Sequence, residues 1–78
     1  MTNQENTPIN ESVFLQAIAN YNIGLMYLEL MEDPDVEAFI GYLEKAVEIF
    51  RSRKIPNLKY LDYYKDAVER LNYISISF

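Results

Sequence analysis

Residues 13–31, with the sequence VFLQAIANYNIGLMYLELM, carry two adjacent apolar stripes at helical spacing. The first stripe consists of Phe14, Ala17, Ile18, Tyr21, Leu25 and Leu28. The second consists of Leu15, Ala19, Ile23, Met26 and Leu30, and only the line through Gln16, Asn20 and Gly24 is polar or small. A helix that is apolar over most of its circumference is normally covered on several sides. We therefore predict a helix over residues 10–31 that either lies centrally or turns one stripe toward another molecule.

The residues before these stripes offer several starting points for the first helix. Thr7 is able to cap a helix that opens on Pro8, because proline suits the first helical position. Asn10 and Ser12 are competing caps. Residues 1–7, MTNQENT, are polar, and we predict that residues 1–9 form a flexible N-terminal segment.

The second helix is predicted over residues 34–53. Either Asp33 or Asp35 caps it, with Pro34 beside the first turn. Its apolar positions form a single amphipathic face, made of Val36, Phe39, Ile40, Leu43, Ala46, Val47 and Phe50. Residues 51–54, RSRK, match the negative end of the helix dipole, and we favour this role over phosphate binding.

The third helix is predicted over residues 57–72, after the turn at Ile55-Pro56-Asn57, with Asn57 as its cap. The residues expected in its buried face are Leu58, Leu61, Tyr64, Ala67 or Val68, and Leu71. Residues 73–78, YISISF, alternate with the period of a strand. This segment is a frayed helix end, a docked tail or an edge strand, and we predict a short irregular tail over residues 74–78.

Short connections between successive helices make them antiparallel neighbours. The predicted fold is therefore all-α, an antiparallel three-helix bundle over residues 10–73. A chain of 78 residues buries a small core, and such folds often need a disulfide, a metal or a partner subunit. With no cysteine and no histidine, a disulfide framework and a zinc finger are excluded, which leaves oligomerisation or a partner protein.

Composition also limits the function classes. Without cysteine or histidine the usual nucleophile–base pairs are missing, so we predict no enzyme activity, no cofactor and no metal site. The apolar residues 13–31 include Gln16, Asn20 and Glu29 and have no basic flank, which argues against a membrane span. A chain free of cysteine is compatible with the reducing cytoplasm, where we expect the protein to act.

Charge is divided unevenly along the chain. Residues 1–44 hold eight acids and no base, and residues 45–78 hold four acids and seven bases, for a net charge of −5. This balance argues against nucleic acid as the main partner. Halves of opposite sign either complement helix dipoles within one molecule or attract between two molecules.

A family resemblance appears over residues 15–73. Residues 22–30, NIGLMYLEL, followed by residues 42–49, YLEKAVEI, resemble the two helices of a tetratricopeptide repeat. Ile23-Gly24 and Tyr27 match the first motif, while Phe39, Leu43 and Ala46 stand near the second. The resemblance implies a helical hairpin with a third, capping helix, and a close helix crossing at Gly24 and Ala46.

A second resemblance is confined to the third predicted helix. Residues 63–71, YYKDAVERL, are similar to the last helix of microtubule-interacting-and-transport domains, which bind helical tails in a groove between helices. Both resemblances imply binding of proteins rather than catalysis.

From these patterns we predict a non-enzymatic interaction module or small adaptor that self-associates or docks on a larger protein. Tyrosine is well suited to interfaces because it buries a large ring and keeps a polar tip. The predicted partner-binding residues are Ile23, Met26, Tyr27, Leu30, Tyr42, Tyr60 and Tyr63. The alternative is a small acidic inhibitor or regulator that occupies a basic site on an enzyme or nucleic-acid-binding protein.

Overall fold

A computed structural model describes the backbone of residues 3–77 and the side chains of residues 11–74. It contains three helices: α1 (Asn3–Glu29), α2 (Val36–Arg51) and α3 (Leu58–Ser77). No strand occurs within residues 3–77. The predicted all-α, three-helix fold is confirmed.

Ring contacts between the helices define their directions. Phe14 of α1 lies 5.9 Å from Phe50, near the end of α2, and Tyr27 lies 5.6 Å from Tyr42, nearer the beginning of α2. α1 and α2 are therefore antiparallel. Phe14 also lies 5.2 Å from Tyr60, at the start of α3, and Glu29 pairs with Arg70 much later in α3. α3 thus runs parallel to α1, and α2 runs opposite to both.

In each of the two predicted turns, a side chain caps the helix that follows. Asp35 is the N-cap of α2, where its carboxylate accepts from the backbone N–H of Ala38 at 3.0 Å. The backbone N–H of Asp35 also donates to the carbonyl of Tyr27, which ties the turn to α1. Asn57 accepts from the backbone N–H of Tyr60 at 3.0 Å, which confirms it as the cap of α3. Such caps typically stabilise a helix by about 1 kcal/mol.

The core is built mainly from the first stripe of α1 and the amphipathic face of α2. Its ten buried residues are Phe14, Ala17, Tyr21, Phe39, Leu43, Ala46, Val47, Phe50, Tyr60 and Ala67. The rings of Phe14, Phe50 and Tyr60 stack on one another at the level where α1 meets the turn between α2 and α3. The predicted buried face of α2 is confirmed, and of the two apolar stripes of α1 the first is the buried one.

α3 differs from the prediction at its first turn, whereas Tyr64, Ala67, Val68 and Leu71 lie in the core or pack against it as predicted. Leu58 is 74% exposed, whereas Tyr60 is only 5% exposed, so assigning Leu58 to the core was wrong. Leu58 is the first residue of α3, while the ring of Tyr60 stacks on Phe14. The hydroxyl of Tyr60 donates to Glu11, so burial leaves its polar tip satisfied.

Two helix ends also differ from the prediction. α1 begins at Asn3, so Thr7, Asn10 and Ser12 lie inside it rather than capping it. A capping residue starts a helix only where the preceding chain is not already helical. The side chains of residues 1–9 lie outside the described ones, so the predicted flexibility of this segment stays a prediction.

α3 continues to Ser77, so residues 74–77 are helical and do not form the predicted irregular tail. The period-two alternation of this segment suits a strand, but a strand needs a partner. The part of the chain that the structure describes offers none, and the segment continues the preceding helix. Phe78 lies outside the described residues.

Gly24 sits at the closest approach of α1 and α2. A Cβ added to it would stand 2.6 Å from the Cδ1 atom of Leu43 and 3.2 Å from the carbonyl oxygen of Phe39. Ala46, on the same face of α2, is fully buried. The expected close approach of α1 and α2 is confirmed at Gly24.

Candidate protein-interaction surface

The second apolar stripe of α1 faces away from both other helices. We call Leu15, Ala19, Ile23, Met26 and Leu30 the outer stripe; all five are exposed. Leu30 is 75% exposed, Leu15 55% and Met26 51%. Scattered exposed apolar residues are normal, whereas large contiguous apolar patches are typical of interaction sites. We predicted that α1 either lies centrally or turns one stripe toward another molecule. Within the monomer the outer stripe is uncovered, as the second alternative requires.

A shallow depression of about 250 Å³ lies at the C-terminal end of the outer stripe. It is lined by Ile23, Met26, Tyr27, Leu30 and Met31. Tyr27 is half-buried and stacks on Tyr42 of α2, with ring centroids 5.6 Å apart and planes inclined by 12°. The stack fixes the Tyr27 ring as a rigid wall of the depression. The structure therefore brings four of the predicted partner-binding residues together, with Tyr42 supporting them from behind.

The two remaining predicted residues lie elsewhere. Tyr60 belongs to the core, and Tyr63 is half-buried with its ring edge-on to Tyr21 at 5.3 Å. Both rings face the contact between α1 and α3 rather than the outer stripe. Leu15, Ala19 and Met31 were absent from the predicted set although they extend the exposed surface. The same helical spacing that identified Ile23 would have found Leu15 and Ala19.

A polar cluster links α1 to α3 beside the core. The hydroxyl of Tyr21 donates to the carboxylate of Asp66, which also accepts from Arg70 Nε at 2.8 Å. Arg70 Nη1 in turn lies 3.6 Å from the Glu29 carboxylate. Burial, followed by the bond to Asp66, raises the pKa of Tyr21 to about 12. These contacts are satisfied within the molecule, so the cluster holds the two helices together.

Asp66 and Tyr60 show how the surroundings set the ionisation of such groups. Burial on its own would raise the pKa of Asp66, but the hydrogen bonds from Tyr21 and Arg70 and the Arg70 charge hold it below its ordinary value. For Tyr60, the bond to Glu11 is the main cause that raises the pKa of the phenol, with burial as the second. In both cases the shift follows from a structural hydrogen bond.

The two turns give the bundle ends of opposite charge. Glu32, Asp33 and Asp35 are exposed in the turn between α1 and α2, and we call this the acidic end. Arg51, Arg53 and Lys54 are exposed between α2 and α3, with Lys59 following, and we call this the basic end. Since α2 has 16 residues, the two ends are about 24 Å apart. Arg51 donates to the Tyr64 hydroxyl at 3.0 Å and so also has a structural role.

The other surface features of the described residues give weaker indications of a binding site. The groove between α2 and α3 is lined by charges of both signs, among them Glu44, Lys45 and Glu48. Among the described side chains, no three carboxylates lie close enough together to hold a metal ion. Within residues 3–77, no helix has both the length and the hydrophobicity needed to cross a bilayer.

Comparisons of this chain with protein-family models, with curated proteins and with solved structures gave no match. The interpretation of the surface therefore depends on its geometry and charge.

Proposed function

We propose that this protein is a non-enzymatic interaction module that uses the outer stripe of α1 to self-associate or to dock on a larger protein. The observation that carries this proposal is the exposure of the stripe. Each buried apolar side chain contributes about 1.5–3 kcal/mol relative to an exposed one. In the monomer Leu15, Met26 and Leu30 stay at least half exposed and supply only part of this stabilisation.

The surroundings of the stripe support the same function. Residues 12–28 carry no charge, and the centres of protein interfaces are depleted in charged residues and enriched in tyrosine and methionine. Tyr27 is already held by its stack on Tyr42, so binding would cost little side-chain entropy at that position. A cytoplasmic setting is part of the proposal, as expected from the absence of cysteine.

A tetratricopeptide-like role for the hairpin is compatible with this proposal. The close contact of Gly24 with α2 and the parallel direction of α1 and α3 support it. In this interpretation α1 and α2 form the hairpin, and α3 takes the place of the capping helix.

Site-specific photo-crosslinking in cells that make the protein tests the proposal. A photoreactive amino acid in place of Met26 should give a discrete crosslinked product, because this side chain lies within the outer stripe. The same amino acid in place of Leu58 should give none, because Leu58 is even more accessible than Met26 but lies on α3. A further Ile23→Asp substitution in the Met26-labelled chain should remove the product.

The mass of the product identifies the partner. Twice the 9.2 kDa chain indicates self-association, and any other mass indicates docking on a different protein. Equal labelling from positions 26 and 58, or a product that survives Ile23→Asp, would show that the outer stripe is not the interaction surface.

The exposed acidic end favours a second candidate, a small acidic inhibitor that occupies a basic site. Salt separates the two candidates, because exposed charges are screened within about 3 Å at 1 M salt whereas apolar contacts persist. Loss of the crosslinked product at high salt, with Ile23→Asp having no effect, would favour the inhibitor.

A further inference from the structure

We infer that the outer stripe is covered by the outer stripe of a second copy, in an antiparallel two-fold dimer whose axis passes between Asn22 and Ile23. This inference rests on the proposed function and specifies its partner. Three independent properties of the stripe support a second copy over an unrelated protein: its lack of charge, its spacing, and the opposite charges at the two ends of the bundle.

Lack of charge makes the stripe compatible with itself. In an isologous interface the same patch is present on both sides, so any charge at its centre would meet a like charge. Residues 12–28 contain none, and the exposed polar residues beside the stripe, such as Gln16 and Asn22, are neutral. Two copies can therefore approach through this face without burying an unpaired charge.

The spacing of the stripe is nearly symmetric about its midpoint. With the axis between residues 22 and 23, Leu15 of one copy faces Leu30 of the other, and the small Ala19 faces the long Met26. The two Ile23 side chains meet beside the axis. Small residues opposite large ones let two helices interdigitate at a close separation.

Charge at the ends of the bundle favours the antiparallel direction. In this register, Glu32 of one copy lies level with Val13 of the other, and Asp33 lies level with Ser12, close to Phe14. Phe14 contacts Phe50 and Tyr60, and these two residues adjoin the basic end. The acidic end of each copy thus lies at the same end of the dimer as the basic end of the other, twice in one dimer. A parallel pair would place like charges together at both ends.

The first measurement is the molar mass of the full chain by size-exclusion chromatography with light scattering, at about 100 µM, where a micromolar dimer is largely assembled. We expect twice the 9.2 kDa of the single chain. Ile23→Asp should raise the dissociation constant about 100-fold or more, because it places two carboxylates beside the axis. The matched control is Leu58→Asp, which adds the same charge at an exposed leucine outside the stripe and should leave the dimer intact.

Introduced cysteines report the register, since the chain has none of its own. In the antiparallel pair the two copies of residue 15 are about 22 Å apart, which is too far for a disulfide. Leu15→Cys alone should therefore stay uncrosslinked under oxidation. A mixture of Leu15→Cys and Leu30→Cys chains should form a mixed disulfide. Rapid self-crosslinking of Leu15→Cys would overturn the antiparallel arrangement.

Charge reversal tests the attraction between the acidic end of one copy and the basic end of the other. Glu32→Lys with Asp33→Lys, and separately Lys54→Glu with Lys59→Glu, should each weaken the homodimer about tenfold. A one-to-one mixture of the two double variants should recover a dimer made of one chain of each kind. Failure of the mixture to recover would overturn the proposed pairing of the ends.

The outcomes separate this inference from the proposed function. A wild-type chain that stays monomeric at about 100 µM overturns the dimer. If the Met26 photo-crosslink to a different protein is then observed, the interaction function stands and only the second copy is wrong. A dimer that survives both Ile23→Asp and Met26→Asp, with helicity unchanged by circular dichroism, overturns the dimer interface on the outer stripe.

Discussion

Gly24 of α1 lies directly against Leu43 of α2, so closely that a single added methyl group would stand 2.6 Å from the Leu43 Cδ1 atom. Leu43 is fully buried, and the other neighbours of this point are the Phe39 carbonyl oxygen and the Tyr42 Cβ atom, both 3.2 Å away. Neither of these two atoms can move without shifting α2. The contact therefore sets the separation of the two helices that carry most of the core.

Gly24→Ala should lower stability. Alanine is the better helix former by about 1 kcal/mol, but forcing a methyl group into a filled contact typically costs about 1–3 kcal/mol. We expect a net loss of roughly 1 kcal/mol in the free energy of unfolding, measured by urea denaturation. A variant as stable as the wild type would mean that α2 is free to move away from α1.

Gly41→Ala is the matched opposite case. Nothing lies within 4 Å of a Cβ added at Gly41, on the exposed side of α2. Only the gain in helix propensity remains, and we expect stability to rise by about 0.5–1 kcal/mol in the same assay. A decrease would indicate that this face of α2 is covered in solution.

Asp66→Asn should make stability less dependent on pH in the acid range. The pKa of Asp66 is lowered in the folded state, so its contribution is present above the unfolded value of about 4 and is lost as pH falls through the folded value. Because the carboxylate is 41% exposed, we expect a loss of no more than about 1 kcal/mol at pH 7. Thermal unfolding should show the variant and the wild type converging below about pH 4. A constant difference down to pH 2 would show that shape rather than charge is responsible.

Tyr21→Phe should show the reverse dependence at alkaline pH. The hydroxyl bond to Asp66 should contribute about 1 kcal/mol at neutral pH. The pKa of Tyr21 is raised to about 12 in the folded state, so this contribution persists up to the unfolded value near 10 and is lost as pH rises through 12. Urea unfolding at several pH values should show the advantage of the wild type shrinking over that interval. The other tyrosines ionise in both chains, so their effects cancel in the comparison.

Phe14→Ala should unfold much of the protein. The ring is 1% exposed and stacks on both Phe50 and Tyr60. Removing a buried phenylalanine costs about 3–5 kcal/mol, which is a large part of the stability of a small domain. The control is Leu58→Ala, at an exposed position of α3, where we expect a change within about 0.5 kcal/mol. Circular dichroism at 37 °C should show loss of helix in Phe14→Ala and none in Leu58→Ala. A cooperative thermal transition of Phe14→Ala like that of the wild type would contradict the assignment of this ring to the core.

Local signals in the sequence predicted much of the fold. The stripe through Phe14, Ala17 and Tyr21 and the face through Phe39, Leu43 and Phe50 follow helical periodicity, which depends only on residue spacing. The cap at Asn57 was predicted for the same reason, because a side-chain cap bonds to a backbone group three residues away. Within the candidate surface, the apolar excess of α1 was visible in the same way.

The wrong predictions concern positions where a neighbouring helix, or the end of a helix, decides which side chain is buried. Tyr60 and Leu58 are both acceptable core residues by type, and only the stack on Phe14 and the bond to Glu11 select the tyrosine. Likewise, the contact of Tyr63 with Tyr21, which leaves Tyr63 half-buried, joins residues far apart in sequence. Spacing within one helix carries no information about such contacts.

The sequence by itself determined that the chain forms three helices with a core, and that α1 carries more apolar surface than one face needs. Only the tertiary structure decided which stripe of α1 is buried. Both stripes have similar hydrophobicity, but Gly24 lets α2 approach closely beside the first stripe. Leu15, Ile23, Met26 and Leu30 remain exposed on the other side. Close packing depends on shape as well as on hydrophobicity, and shape is complementary only between helices already in place.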